Sequence, residues 1–307
     1  MSRPTLALPI LRSIAFTLRV IPVPMRHDRV SHYLMHFFRM QRYDEPVSAR
    51  LRSGARLSVH LNDYNGRMLF FFGTVDPRVI GTCRALVQPG DIFLDIGANH
   101  GAVGLLCADK IGTQGAVHFV EPQPELCGTI RAATESVPCS TTVHQIGLLD
   151  EEGEFDLRLA KRHTGAASLV DQPRTSDGTS IRVRVREIDS FLDETVGAKP
   201  FGAKVDVEGA ENQILPQIIG RAGLRFLVFE CNRESTRAFV DETFLQHPER
   251  RAASIFGLVK APVKVRLRSV ANADELAAYD DLVVVFGKCK IDRDRSMTPE
   301  AMARSIG

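Results

Sequence analysis

DIFLDIGANHGAVG, Asp91 to Gly104, joins a short apolar run to a glycine-rich turn and then to a segment with helical character. A continuous apolar run bounded by turn residues reads as a strand buried on both faces, the kind found in parallel sheets. Gly97 and Gly101 stand in the turn after it, where glycine opens backbone angles closed to other residues and lets a ligand approach the main chain. In an open parallel sheet, ligands sit beyond the carboxyl ends of the strands, where helix N-termini present free N–H groups and partial positive charge. The dinucleotide fingerprint G-x-G-x-x-G would need glycine at 99, and Asn99 stands there, so a pyrophosphate cradle is disfavoured. What remains is an acid at the strand end, Asp95, and a tight turn able to admit a carboxylate or an amino group. Glu121, at the end of the next strand, is placed to accept both hydroxyls of a ribose.

Outward from that corner the same rhythm repeats. IFLDI (92–96), AVHFV (116–120), TTVHQI (141–146), FGAKVDV (201–207) and LRFLVFE (224–230) read as strands, with helix-compatible segments at 102–110, 124–136 and 210–221 between several of them. This β-α-β-α order predicts an α/β, doubly wound, mostly parallel sheet with right-handed crossovers and helices on both faces. Two regions depart from it. ARLSVHL alternates after the Ser53-Gly54 turn and predicts a hairpin ahead of the sheet, and the segment 153–187 alternates in two runs around a polar loop, a β-hairpin insertion. The expected organisation is a basic helical extension over 1–47, the main domain over 48–290, and a loosely attached polar helix in a tail over 291–307.

The 307 residues are 44% hydrophobic, ample for a core, and the net charge of +2 is too mild to argue for a nucleic-acid partner. The average hides an uneven distribution, because Met1 to Arg56 carries ten arginines against three acids. Within it, Leu11, Ile14, Ala15 and Leu18 recur at helical spacing until Pro22 and Pro24, and Val30, Tyr33, Leu34, Phe37 and Phe38 form a second set. Two amphipathic helices are therefore expected, too interrupted by arginine to span a bilayer. They either pack on the domain or a second subunit, or lie on an anionic membrane as a peripheral contact through residues 1–40. Six cysteines are scattered singly, which suggests neither a zinc site nor a disulfide framework and fits a reducing, cytoplasmic setting.

DIGANHG, FVEPQP, KVDVEGAE and LVFECN, in that order and spacing, make the sequence resemble the FkbM family of S-adenosylmethionine-dependent methyltransferases, from about Arg50 to about Phe286. The resemblance implies a class I, Rossmann-like methyltransferase fold with S-adenosylmethionine as cofactor. It also implies that Asp95, Gly97, Ala98, Asn99 and Gly101 hold the methionine end, that Glu121 with Pro122 holds the ribose, and that Gln145, Ile146 and Gly147 lie beside the adenine. The family's Gly-Tyr-Glu ahead of the first strand is reduced here to Gly73 and Asp76, so a shorter acid replaces the usual one.

Methyl transfer from a sulfonium needs an aligned acceptor and a base to take its proton. KVDVEGAE supplies Asp206 at a strand end, a candidate for both catalysis and cofactor binding, with Glu208 and Glu211 after it, and Glu230 ends the neighbouring strand. Asp206, Glu208 and Glu230 are the candidate catalytic acids, and acids at 208 and 211 also complement a helix N-terminus without any catalytic role. Carboxylates of this kind suit magnesium, but no further ligand pattern supports a metal, and none is assigned. His163, in the loop RHTGAASL, is the remaining catalytic candidate, with Thr164, Gly165 and Ser168 bordering the pocket by the same resemblance. The reading is an O-methyltransferase acting on a hydroxyl of a sugar, glycolipid or polyketide-like small molecule. Two rivals stay open: a nicotinamide-linked oxidoreductase on a similar sheet, and a catalytically silent module docking a membrane or a partner. The oligomeric state does not follow from the sequence.

Overall fold

The computed structural model describes residues 4–20, 27–38, 40, 43–160, 163–169, 179–246, 253–259, 265–287 and 297–305. Helices α1 (Pro4–Val20) and α2 (His27–Phe37) come first and bury Leu11, Ala15 and Met35. A hairpin of β1 (Pro46–Arg50) and β2 (Arg56–His60) follows, antiparallel across the Ser53-Gly54 turn as the alternation requires. Helices α3 (Tyr64–Phe72) and α4 (Pro77–Leu86) are both started by an aspartate. Asp63 accepts the N–H of Gly66, and Asp76 accepts those of Arg78 and Val79, satisfying donors the first turn leaves free.

The main sheet then alternates with helices: β3 (Ile92–Ile96), α5 (Ala102–Ile111), β4 (Ala116–Val120), α6 (Pro124–Thr134) and β5 (Ser140–His144). A smaller sheet of β6 (Gly147–Leu149), β7 (Gly153–Arg158) and β8 (Ser180–Glu187) interrupts it. The main sheet resumes with α7 (Ile188–Thr195), β9 (Phe201–Val205), α8 (Glu211–Gly220), β10 (Leu224–Glu230) and α9 (Glu234–Val240). It closes with β11 (Ala253–Val259), β12 (Arg266–Ser269), α10 (Ala273–Leu276), β13 (Asp281–Phe286) and α11 (Pro299–Ser305). Eight strands pair in the order β12-β11-β13-β10-β9-β3-β4-β5. From β10 to β5 every pair is parallel, and β13, β11 and β12 add antiparallel pairs at the other edge.

Period-two alternation in β3 sends Phe93 to one face and Ile92, Leu94 and Ile96 to the other, so the strand joins two cores at once. The first core lies under α1 to α6, and the second lies under α7, α8 and α9. Between β3 and β9 the connections leave in opposite directions, which opens a crevice beyond the carboxyl ends of the strands.

Three features differ from the sequence reading. The insertion is a three-stranded sheet, because Gly147 to Leu149 pairs parallel with β8; three residues are too few to show a period. The antiparallel edge holds β13 between β10 and β11, and DLVVVF carries no alternation that would mark it as a strand returning to the middle of the sheet. The tail helix is docked rather than loose: it packs on α4 with Met302 fully buried and Ala303 against the same core, too few apolar groups in so short a run to mark a packed face. The amphipathic helices α1 and α2 pack on α3 and join the first core.

Candidate active site

A cavity of about 550 Å³ lies at the crevice, with its walls drawn from the ends of β3, β4, β9 and β10, the N-terminal turn of α3 and the loop after β7. Its first wall is the turn after β3. Gly97 has φ +68, and a Cβ there would lie 1.8 Å from the main-chain oxygen of Asp206, so glycine is needed for the two loops to touch. Asn99 follows with φ 52, one of two non-glycine residues in the left-handed region among the described residues; the other is Glu208, φ 53, across the same cavity. Such conformations cost about 1–3 kcal/mol each and persist where the surroundings hold them.

Glu121 supplies that hold. It is 3% exposed, and its two oxygens accept the N–H of Asn99 at 2.8 Å and of Gln123 at 2.9 Å. Burial pushes its carboxyl up to about 7, with the two backbone donors pulling the other way. Asn99 Oδ1 gathers the N–H of His100 at 2.9 Å, the amide of Asn65 at 3.4 Å and the hydroxyl of Thr164 at 3.3 Å. Asp63, besides capping α3, accepts the N–H of Thr164 at 2.8 Å, so one buried aspartate ties the loop after β7 to the hairpin side. In that loop the ring of His163 stacks on Tyr64 with centroids 5.1 Å apart.

The opposite wall is acidic. Asp206, Glu208 and Glu230 each place a carboxylate oxygen within 4.8 Å of the others. Burial, and then repulsion from Asp206 and Glu208, drives Glu230 up to about 8. Asp281 is held up to about 7 by burial and by Asp76, against the pull of Arg78 at 3.1 Å. One buried cation answers this wall. Lys204, at 5% exposure, donates to the main-chain oxygen of Gly97 at 2.6 Å and lies 3.5 Å from Asp206 and 3.7 Å from Asp95. Burial opposes its charge, but the two aspartates outweigh it and raise its pKa. The three converging acids can share a proton or hold a hard divalent cation.

The sequence-predicted residues divide. Gly97, Ala98, Asn99, Glu121, Pro122, Ile146, Gly147, Asp206, Glu208, Glu230 and His163 line the cavity, as do Thr164 and Gly165. Asp95, Gly101, Gln145 and Ser168 do not. Asp95 is fully buried beneath the turn, where it accepts the N–H of Gly104 at 2.9 Å, so its part is to hold the start of α5. Gly101 packs against Ile130 and Phe119, Gln145 points to solvent, and Ser168 donates to the main-chain oxygen of Glu208 at 2.7 Å. Glu211, also outside the cavity, is buried and accepts the N–H groups of Val207 and Gly209. The sequence reading passed over Tyr64, Asn65, Lys204 and Asp281. Lys204 did leave a signal, a lysine inside a strand otherwise buried and apolar, which needs nearby acids.

A parallel sheet with its switch point at β3, an antiparallel strand beside β10 and a turn-plus-acid cradle beyond the strand ends define a class I, Rossmann-like methyltransferase fold. Residues 95–247 match the model of the methyltransferase FkbM domain. The chain belongs to the FkbM family of S-adenosylmethionine-dependent methyltransferases. No curated protein matches it. Among solved structures it is similar to a precorrin-6y C5,15-methyltransferase from Geobacter metallireducens, at 12% identity over 68% of this chain and 87% of that one, TM-score 0.35. It is also similar to an O-methyltransferase from Bacillus cereus in complex with SAH, at 14% identity over 70% and 83%, TM-score 0.37. A third is a SAM-dependent methyltransferase from Agrobacterium tumefaciens, at 11% identity over 79% and 70%, TM-score 0.39. The strand order, not these likenesses, defines the fold.

Proposed function

We propose that the chain is an O-methyltransferase acting on a hydroxyl of a sugar, glycolipid or polyketide-like small molecule, with Glu230 as the base. The observation that carries this reading is the place of Glu230 on the cavity wall, its carboxylate oxygen within 4.8 Å of those of Asp206 and Glu208, where burial and that crowding push its carboxyl up to about 8 and make it a better proton acceptor than an ordinary carboxylate. S-adenosylmethionine, when bound, supplies an electrophilic methyl on a sulfonium.

The chain's residues fit that group. The left-handed turn at Gly97 and Asn99 leaves main chain open to the cavity, and Glu121 lies at its edge to take the ribose hydroxyls. Ile146 and Gly147 give an apolar, close-approach surface for the adenine. Asp206 faces the cavity with a charge complementary to the ammonium and sulfonium. Glu230, on the cavity wall, would accept the proton of the acceptor's hydroxyl. Burial, with repulsion from Asp206 and Glu208 added, keeps Glu230 basic, and Tyr64 with His163 forms the flat wall against which a ring can lie.

Calorimetric titration of S-adenosylmethionine into the pure chain, followed by transfer of labelled methyl to fractions of a cell extract, tests this. Binding together with label in an alkali-stable small molecule is expected. Absence of cofactor binding, or label retained on Glu230→Gln at the wild-type rate, overturns it.

A further inference from the structure

The four large apolar side chains left exposed among the described residues all stand on α1 and α2: Phe16 at 72%, Tyr33 and Phe37 at 65%, and Ile10 at 51%. A soluble surface carries single exposed apolar groups freely, but four gathered on one pair of helices mark a contact. Neither helix needs these groups for its packing, since Leu11 and Ala15 on α1, and Ser31 and Met35 on α2, fill the inward faces at a spacing of four.

Their setting is cationic and regular. On α2, Arg29, Tyr33 and Phe37 are four apart, so they form one outward stripe, and the Tyr33 and Phe37 rings stack at 6.2 Å. On α1, Arg12 precedes Phe16 by the same four residues. Arg12 and Arg29 are exposed, as are His32 and His36 beside the α2 stripe. The segment from Met1 to Arg56 holds ten arginines and three acids, and α1 itself holds no acid. An arginine one turn from a ring is the arrangement in which the ring enters an apolar layer while the guanidinium reaches back to an anionic head group. A second copy of this chain would bring arginine against arginine. No helix among the described residues is long and apolar enough to cross a membrane, so the contact is a surface one.

We infer that α1 and α2 dock the protein on an anionic lipid surface, with Phe16, Tyr33 and Phe37 as the inserted rings and Arg12 and Arg29 as the head-group contacts. Both helices pack on α3, and α3 contributes Tyr64 and Asn65 to the cavity, so the docked face and the active site share a helix.

The chain contains no tryptophan, so Phe37→Trp gives a single reporter with little change in shape. Added to vesicles of phosphatidylcholine with 30 mol% phosphatidylglycerol, it should show a blue-shifted emission quenched by brominated lipid, and no shift with phosphatidylcholine alone. In co-sedimentation the full chain should lose about tenfold or more of its affinity in Arg12→Gln/Arg29→Gln, and a comparable amount in Phe16→Ser/Tyr33→Ser/Phe37→Ser. Unchanged S-adenosylmethionine affinity in each variant shows an intact fold; should the triple variant fail that check, the tryptophan reporter decides. No emission shift, or vesicle binding that the variants leave untouched, overturns the inference. So does a wild-type dimer that ignores vesicles and that the triple variant dissolves, because a second copy then covers the face.

Discussion

The two walls of the cavity use the same chemical group in opposite ways. On the β3–β4 side, Glu121 has a backbone N–H on each oxygen, and Asn99 Oδ1 is surrounded by donors. On the β9–β10 side, Asp206, Glu208 and Glu230 face one another with less compensation, and Lys204 beneath them is shared between Asp206 and Asp95. A carboxylate with both oxygens engaged has its geometry fixed, which suits holding a ligand. Burial raises the proton affinity of both Glu121 and Glu230, and crowding by like charges raises that of Glu230 further, which suits moving a proton. The difference comes from partners, not from residue type.

The largest effect should come from the crowded wall. Glu230→Gln keeps the shape but cannot accept a proton, so turnover should fall about 10²- to 10⁴-fold, while cofactor affinity stays within about threefold. A loss confined to affinity would mean that this wall only holds. The other wall should answer in reverse. Glu121→Gln sets an amide NH₂ against the N–H of Asn99 or of Gln123, breaking one of two hydrogen bonds that hold a left-handed turn, so calorimetry should show cofactor affinity weakened about 10- to 100-fold. Wild-type affinity there would erase the distinction between the walls. Gly97→Ala tests whether they depend on each other. Its Cβ would meet the Asp206 carbonyl at 1.8 Å, so the β3 turn and the β9 loop must part. A loss of roughly 2–3 kcal/mol in stability, read by denaturant unfolding and accompanied by weaker cofactor binding, is expected.

How far the sequence revealed each wall follows from the range of its interactions. The β3 turn was legible because its signals are local: an apolar run, Gly97 two residues after Asp95, and Glu121 at the next strand's end. Even there, Asp95 and Gly101 look like ligand contacts in the linear pattern, and only depth separates them, since both lie beneath the turn that Asn99 presents. The acidic wall was legible as a list of acids but not as a network. Asp281 reaches it from a strand that returns antiparallel from the chain's far end, and Asp76 reaches it from the cap of α4. Tyr64 was invisible for a similar reason: its role comes from stacking on His163, a residue about a hundred positions away that Asp63 fastens through Thr164. Pairings across such distances leave no period or spacing to read.

The smallest effect concerns stability. Glu230, Asp281 and Glu121 have folded-state pKa values of about 8, 7 and 7, all above the ordinary carboxyl range that the unfolded chain has. Between their unfolded and folded values the folded protein binds more protons than the unfolded one, so stability falls as pH rises through that interval. The depressed histidines, His144 at about 4 among them, act in the opposite sense but only below the ordinary histidine value of about 6.5. The buried cysteines, raised above their ordinary value, act only at higher pH still. The window from pH 6.5 to 8 therefore isolates the carboxylates, with Glu230 the last to ionise. The cofactor-free protein should lose on the order of 1–3 kcal/mol across it, a fall of a few degrees in Tm. Glu230→Gln should be more stable than the wild type at pH 8 and should flatten the slope, because the buried charge is gone. A Tm that rises over this window, or a slope indifferent to that substitution, would mean that Glu230 ionises as an ordinary carboxyl and that the two walls do not differ in the way their contacts imply.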